Sequence, residues 1–295
     1  MVGLGVGAGA YYNPATALLT RAFDGSGGAI GTHRSGGQVA GVFALVAAAV
    51  LAIRYGWRPT IAVGGVLVAV VAGLFLWRST ASEPVHPDAS LAVVFDPGTF
   101  RGVLSRPHAR NTTILMTLVE FAELAAMAFF PTFLVEHYGF ALGDANLLFA
   151  AFFTVSALSQ PLGGWLSDRA GRDATATVQA AAGVAGFGLL AAGGSAVAAV
   201  PGVALAGVSM SGTPVFQSRM MDGLDAADRG TGFGVFRTVY LLLGASGTAV
   251  VGTVADLVGW GVSFGLLAAL FGLVLPSLLA LGAAGLTDRS LPLVR

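Results

Sequence analysis

The sequence predicts an all-α, multi-pass membrane protein, and three observations carry that prediction. Hydrophobic residues make up 55% of the 295 positions and charged residues only 10%, against roughly 25% charged in an ordinary soluble domain. Apolar runs long enough to cross a bilayer recur along the whole chain. The basic residues are all arginine and gather at alternate ends of those runs. Net charge is zero, so nothing points to nucleic acid as a partner. The absence of cysteine excludes disulfides, thiol catalysis and thiolate-held metal, and no cofactor is expected.

Taken in order, a hydropathy window of about 19 residues gives nine spans: 2–20, 35–53, 60–77, 112–135, 145–166, 174–195, 199–218, 238–256 and 262–286. The first lacks a basic stretch before it, which argues against a cleaved signal, and it ends at Arg21. An odd number puts the termini on opposite sides. With the N-terminus outside, the inner segments hold every arginine except Arg54 and Arg58. The positive-inside rule therefore expects a cytoplasmic C-terminus in the cell membrane.

Between the third and fourth spans, residues 79–108 are the longest polar stretch and contain four prolines. They read as a cytoplasmic linker between residues 1–78 and 109–295. A shift of 203 residues aligns Gly31 with Gly234, Arg34 with Arg237, Gly41 with Gly244 and Gly56-Trp57 with Gly259-Trp260. Spans two and three thus repeat spans eight and nine. By the same shift, the partners of spans four to six would precede residue 1. The chain is expected to hold half of one bundle and a complete six-helix second bundle.

The densest charge cluster is Gly164-Trp165-Leu166-Ser167-Asp168-Arg169-Ala170-Gly171-Arg172-Asp173, between spans five and six. Its pattern Gly-x-x-x-Asp-Arg-x-Gly-Arg resembles the cytoplasmic loop signature of the major facilitator superfamily, carried here by Gly164, Asp168, Arg169, Gly171 and Arg172. It departs from that signature at Asp173, where a second basic residue is usual. The glycine run Gly3 to Gly9 followed by Tyr11-Tyr12-Asn13-Pro14 is similar to the family's fourth helix, and Gly56-Trp57-Arg58-Pro59 to its loop between helices five and six. The resemblance implies a two-bundle fold with this chain spanning helices four to twelve, and secondary transport of a small molecule. Proton-coupled efflux or exchange of a drug or organic solute is the expectation, although Gly36-Gly37 stands where the antiporter motif has Gly-Pro. The alternative is a non-transporting truncated product or membrane scaffold. The loop signature also implies a gate in which Asp168 caps the inner end of helix five near Arg34, Ser35 and Gly36, while Arg169 or Arg172 pairs with Asp222.

Glu120 and Glu123 are the two charges deep within a span. At i and i+3 they share a helix face, and entry near Asn111 puts Glu120 about 14 Å into a core about 30 Å thick. Carboxylates there need a polar cavity or partners. They couple protons, bind a cationic substrate, or tie helices together. Asn13, Gln38, Gln160, Gln179 and Tyr240 either line the pathway or join helices. His33, Arg34 and Arg237, at span ends, suit gating or snorkelling. Gly244-Ala245-Ser246-Gly247 resembles an intramembrane protease nucleophile motif, but no histidine follows His137 to activate the serine. Neither a phosphate-binding loop nor a metal motif is present, so an enzyme is not expected.

Overall fold

A computed structural model describes residues 12, 15, 16, 18, 19, 23, 26–78, 96–225 and 229–283. Among these every regular element is an α-helix. In chain order they are α1 (Ser26–Tyr55), α2 (Trp57–Arg78), α3 (Pro97–Ser105), α4 (Pro107–Tyr138), α5 (Leu142–Ala170), α6 (Arg172–Ala192), α7 (Ala196–Ser209), α8 (Gly212–Asp222), α9 (Arg229–Gly244), α10 (Ser246–Val258) and α11 (Trp260–Ala283). Seven helical stretches among the described residues are long and apolar enough to cross a membrane: α2, α4, α5, α6, α7 with α8, α9 with α10, and α11. Of the other two expected spans, 35–53 lies within α1 and 2–20 falls largely outside the described residues.

Several bounds differ from the hydropathy reading. Helix α1 begins at Ser26, well before residue 35, because its first third is glycine-rich and polar yet packs against α5. Hydropathy registers exposure to lipid, not helicity. The span 199–218 is two helices broken at Met210-Ser211, and 238–256 is two helices meeting at Ala245. The end of the expected linker is helical too: Pro97 opens α3, and the Asp96 carboxylate accepts from Thr99 N at 3.0 Å.

The core sits among α4 to α11 and is built on aromatic rings. Phe130, Phe133, Phe152, Phe187, Phe264 and Phe271 are all fully buried, and Phe133 stacks on Phe264 with centroids 3.6 Å apart. Where there are no rings, glycine brings backbones together. A Cβ on Gly186 of α6 would run into Ala206 N of α7, and one on Gly183 would enter the Phe271 ring. Gly186→Val should therefore push α6 and α7 apart, costing about 1–3 kcal/mol. Thermal melting in detergent would read this as a lowered midpoint, and an unchanged midpoint would contradict the contact.

Helix α1 meets the rest chiefly through α5. Here Gly27 and Gly31 lie against Gly164 and Gln160, close enough that a Cβ on Gly164 would overlap the Gly27 carbonyl oxygen. Helix α2 has no buried residue and presents Ile61, Leu67, Phe75 and Trp77 outward. The repeat seen in sequence has a backbone counterpart. Gly56, between α1 and α2, has φ +85°, and Gly259, between α10 and α11, has φ +92°. Each supplies a left-handed turn before a tryptophan that opens the next helix.

Candidate functional site

Two polar clusters stand out, one at the α5–α6 turn and one in a cavity walled chiefly by α1 and α4. The turn is made by Gly171, whose φ of +95° ends α5 and starts α6. Just before it, Asp168 Oδ1 accepts from Gly27 N at 3.0 Å and Oδ2 from Gly28 N at 2.8 Å. These amides belong to the first turn of α1, where donors lack intrahelical partners and the dipole favours an anion. Asp168 thus caps α1 at Gly27 and Gly28, not at Arg34 to Gly36, because the helix starts earlier than hydropathy indicates. Arg172 contacts Asp168, donates to Asp222 Oδ2 at 2.8 Å, and reaches Ser167 Oγ at 2.9 Å. Arg169 instead lies over the Trp165 ring at 4.0 Å. Asp173 has its own cation: Arg219 Nε donates to it at 2.6 Å while Arg219 Nη1 meets the Thr112 hydroxyl.

The cavity begins about 8–9 Å along α1 from that cap, five or six residues at about 1.5 Å each. It measures about 710 Å³ and is lined by α1 from His33 to Gly41, by Tyr12, by Glu120, Glu123, Leu124 and Met127 of α4, and by Phe153 of α5. Arg34 is its centre. Its Nη1 donates to the Tyr12 hydroxyl at 3.2 Å, and its Nη2 lies 3.5 Å from Glu123 Oε1. Glu123 Oε2 accepts from Thr213 at 2.8 Å. Tyr12 donates to Gln217 at 3.0 Å, and Gln217 donates to Tyr240 at 3.2 Å. Arg237 sits over the Tyr12 ring at 3.7 Å. The repeat mates Arg34 and Arg237 therefore converge on one tyrosine. The two glutamates are 6% and 3% exposed, and Glu120 Oε2 has no hydrogen-bond partner among the described residues.

The family model described as Major Facilitator Superfamily matches residues 1–248 and, in a second overlapping stretch, 112–290. The chain belongs to the major facilitator superfamily. As a superfamily member it is a multi-pass membrane protein. A nitrite extrusion protein of Bacillus subtilis (strain 168) is 31% identical over 137 residues, which is 45% of this chain and 32% of that protein. The crystal structure of the E. coli fucose:proton symporter superposes with a TM-score of 0.58 at 17% identity, over 78% of this chain and 55% of that one. The matches thus span about a third and about half of the lengths of these two relatives, and the second shows the fold alone.

Within this superfamily frame, the residues singled out from sequence divide between the two clusters. Gly164, Asp168, Gly171 and Arg172 form the turn cluster, with Arg169 on its outer side. Glu120, Glu123, Gln38 and Arg34 line the cavity, with Tyr240 and Arg237 bordering it. Arg34 and Arg237 belong with the carboxylates and not with the turn. Asn13 lies outside the described residues. Gln179 donates to Ser211 at 2.8 Å and ties α6 to the break between α7 and α8, whereas Gln160 donates to Ser156 at 3.4 Å one turn earlier on its own helix, α5. Gly244 and Gly247 pack against Glu120 and Phe121 of α4, which accounts for the small-residue motif. Sequence reasoning passed over Tyr12, Thr213, Gln217 and Arg219. A glutamine and an arginine three turns or less from the end of an apolar span were the available signal.

Proposed function

We propose that this protein carries a small solute across the membrane by alternating access, with Glu120 and Glu123 exchanging a proton with the cavity. The observation that carries this reading is the placement of both buried carboxyl groups on one face of α4, against a cavity whose cation, Arg34, one of them binds. Carboxylates are costly in a bilayer, so those that are kept there generally serve a function. Nitrite extrusion, the activity named for the Bacillus subtilis relative, supports transport by this chain. Residues 109–295 would form one bundle and 1–78 part of the other, joined through 79–108. In vesicles bearing the protein, Glu120→Gln or Glu123→Gln should abolish solute accumulation driven by a pH gradient while downhill exchange continues. If gradient-driven accumulation survives both substitutions, the carboxyls tie helices together and the proton travels elsewhere.

The arginine distribution further supports a cytoplasmic C-terminus, with the Asp168 cluster on the inner rim. A reporter that works only in the cytoplasm, fused after Arg295, should be active. A silent reporter there would reverse the orientation.

A further inference from the structure

The charge inventory of the cavity restricts what it can bind. Arg34 and Arg237 supply two positive charges, and Glu120 and Glu123 at most two negative ones. Among the described residues, the other titratable groups at the cavity or bordering it are Tyr12, His33 and Tyr240, while α8 brings Thr213 and Gln217 to its border and α5 lines it with Phe153. Counting the described residues, the cavity is neutral with both glutamates ionised and carries +1 with one protonated. In neither state does it need a cation. An arginine cannot shed its proton to make room for one.

The donors, in contrast, are not fully used. Arg34 Nε and Arg237 Nη1 are buried without a hydrogen-bond partner among the described residues. The Arg34–Glu123 contact, at 3.5 Å, is longer than the 2.7–2.9 Å usual for a charge-assisted bond. Glu123 is held more closely by Thr213, at 2.8 Å. Beside Arg34 there is room, since a Cβ on Gly36 or Gly37 would touch nothing within 4 Å.

Resting on the transport reading above, we propose that the substrate is a small monocarboxylate, bound on Arg34 in place of Glu123, with one proton taken up by the Glu120–Glu123 pair for each anion. The planar guanidinium matches a carboxylate in two parallel N–H···O bonds. From the neutral state with both glutamates ionised, an incoming anion alone would leave the cavity one negative charge in excess, in surroundings that penalise it. The released Glu123 carboxylate, or Glu120 beside it, takes a proton from solvent and becomes a neutral carboxylic acid. Net charge in the cavity is the same before and after, so the loaded and empty forms cross the membrane field alike.

The test is binding to the purified protein in weakly buffered detergent, with formate and acetate as probes and tetraethylammonium and glucose as controls. Formate or acetate should raise the melting temperature and remove about one proton per anion from the medium. Arg34→Gln should weaken binding by about tenfold to a hundredfold, with Arg34→Lys recovering part. Arg237→Gln serves as a second variant should Arg34→Gln fail to fold. The double substitution Glu120→Gln with Glu123→Gln should bind the anion without proton uptake. Stabilisation by tetraethylammonium or glucose and not by either anion overturns the proposal. So does anion binding whose proton uptake is absent in the unaltered protein or unchanged in the double variant. Failure of the transport reading is seen separately, as the absence of gradient-driven flux of any solute in vesicles.

Discussion

Arg219→Ala should be the most destabilising single substitution at the α5–α6 end of the molecule. Arg219 is 2% exposed and is shared by Asp173, 2.6 Å away, and the Thr112 hydroxyl. Its own carbonyl lies 2.8 Å from His108 Nε2, which ties α8 to the start of α4. Truncation removes the cation but leaves the anion. Asp173 Oδ2 is already buried without a partner among the described residues, so the carboxylate would have nothing to compensate it. Breaking a buried pair in this way costs about 3–5 kcal/mol, whereas removing both charges costs far less. Thermal or denaturant unfolding in detergent should therefore show a large loss for Arg219→Ala and a partial recovery in Arg219→Met combined with Asp173→Leu. Equal losses in the single and double variants would mean that packing, and not the unpaired charge, sets the cost.

Asp168→Asn should shift the balance between the two faces of the protein with little effect on folding. Both carboxylate oxygens are occupied by amides of α1, at 3.0 and 2.8 Å, and Arg172 adds a third contact. Asparagine keeps one acceptor but turns an NH₂ group toward the other N–H, and it loses the charge that the helix dipole and Arg172 both favour. A charge-assisted bond is worth about 1.5–3 kcal/mol, so losing about 2 kcal/mol moves a two-state equilibrium roughly thirtyfold. The chain has no cysteine, so a thiol introduced by Gly37→Cys on the cavity wall can be followed alone. In the Asp168→Asn background it should react faster with an impermeant maleimide supplied from the rim side and more slowly from the opposite side. Equal rates from both sides would show that this cap does not hold the rim shut.

What the sequence disclosed, and what it did not, follows from what lipid selects. Glu120 and Glu123 were visible because a charge in an apolar run is costly wherever it points. Tyr12 and Thr213 were not, since a tyrosine or threonine is tolerated in a membrane helix with or without a partner. Residues 26–34 read as a connection because they are small and polar, yet they are helical, and their smallness is what lets α1 lie on α5. Placing the helix start eight or nine residues late put Arg34 at the rim, whereas from Ser26 it lies two turns inside, within reach of Glu123. The breaks at Met210-Ser211 and Ala245 interrupt runs of uniform hydropathy and leave no mark in it. The Gly-Trp repeat and the Asp-Arg-x-Gly-Arg turn were legible because each needs particular residues: a glycine for positive φ, and a carboxylate for orphan amides.

The two kinds of helix contact in this molecule differ in friction. Around Phe133, Phe264 and Phe130 the helices mesh like cogs, and α4 cannot slide past α11 without one ring climbing over another. Between α1 and α5 backbone meets backbone at Gly27, Gly31 and Gly164, with only small or polar side chains such as Ser167 close by at that end. Shear is therefore cheapest along that seam. On that seam the amide bonds to Asp168 are the fixed point at one end of α1, as the Arg34–Glu123 contact is further along it, so one carboxylate serves as a brake on the motion of α1.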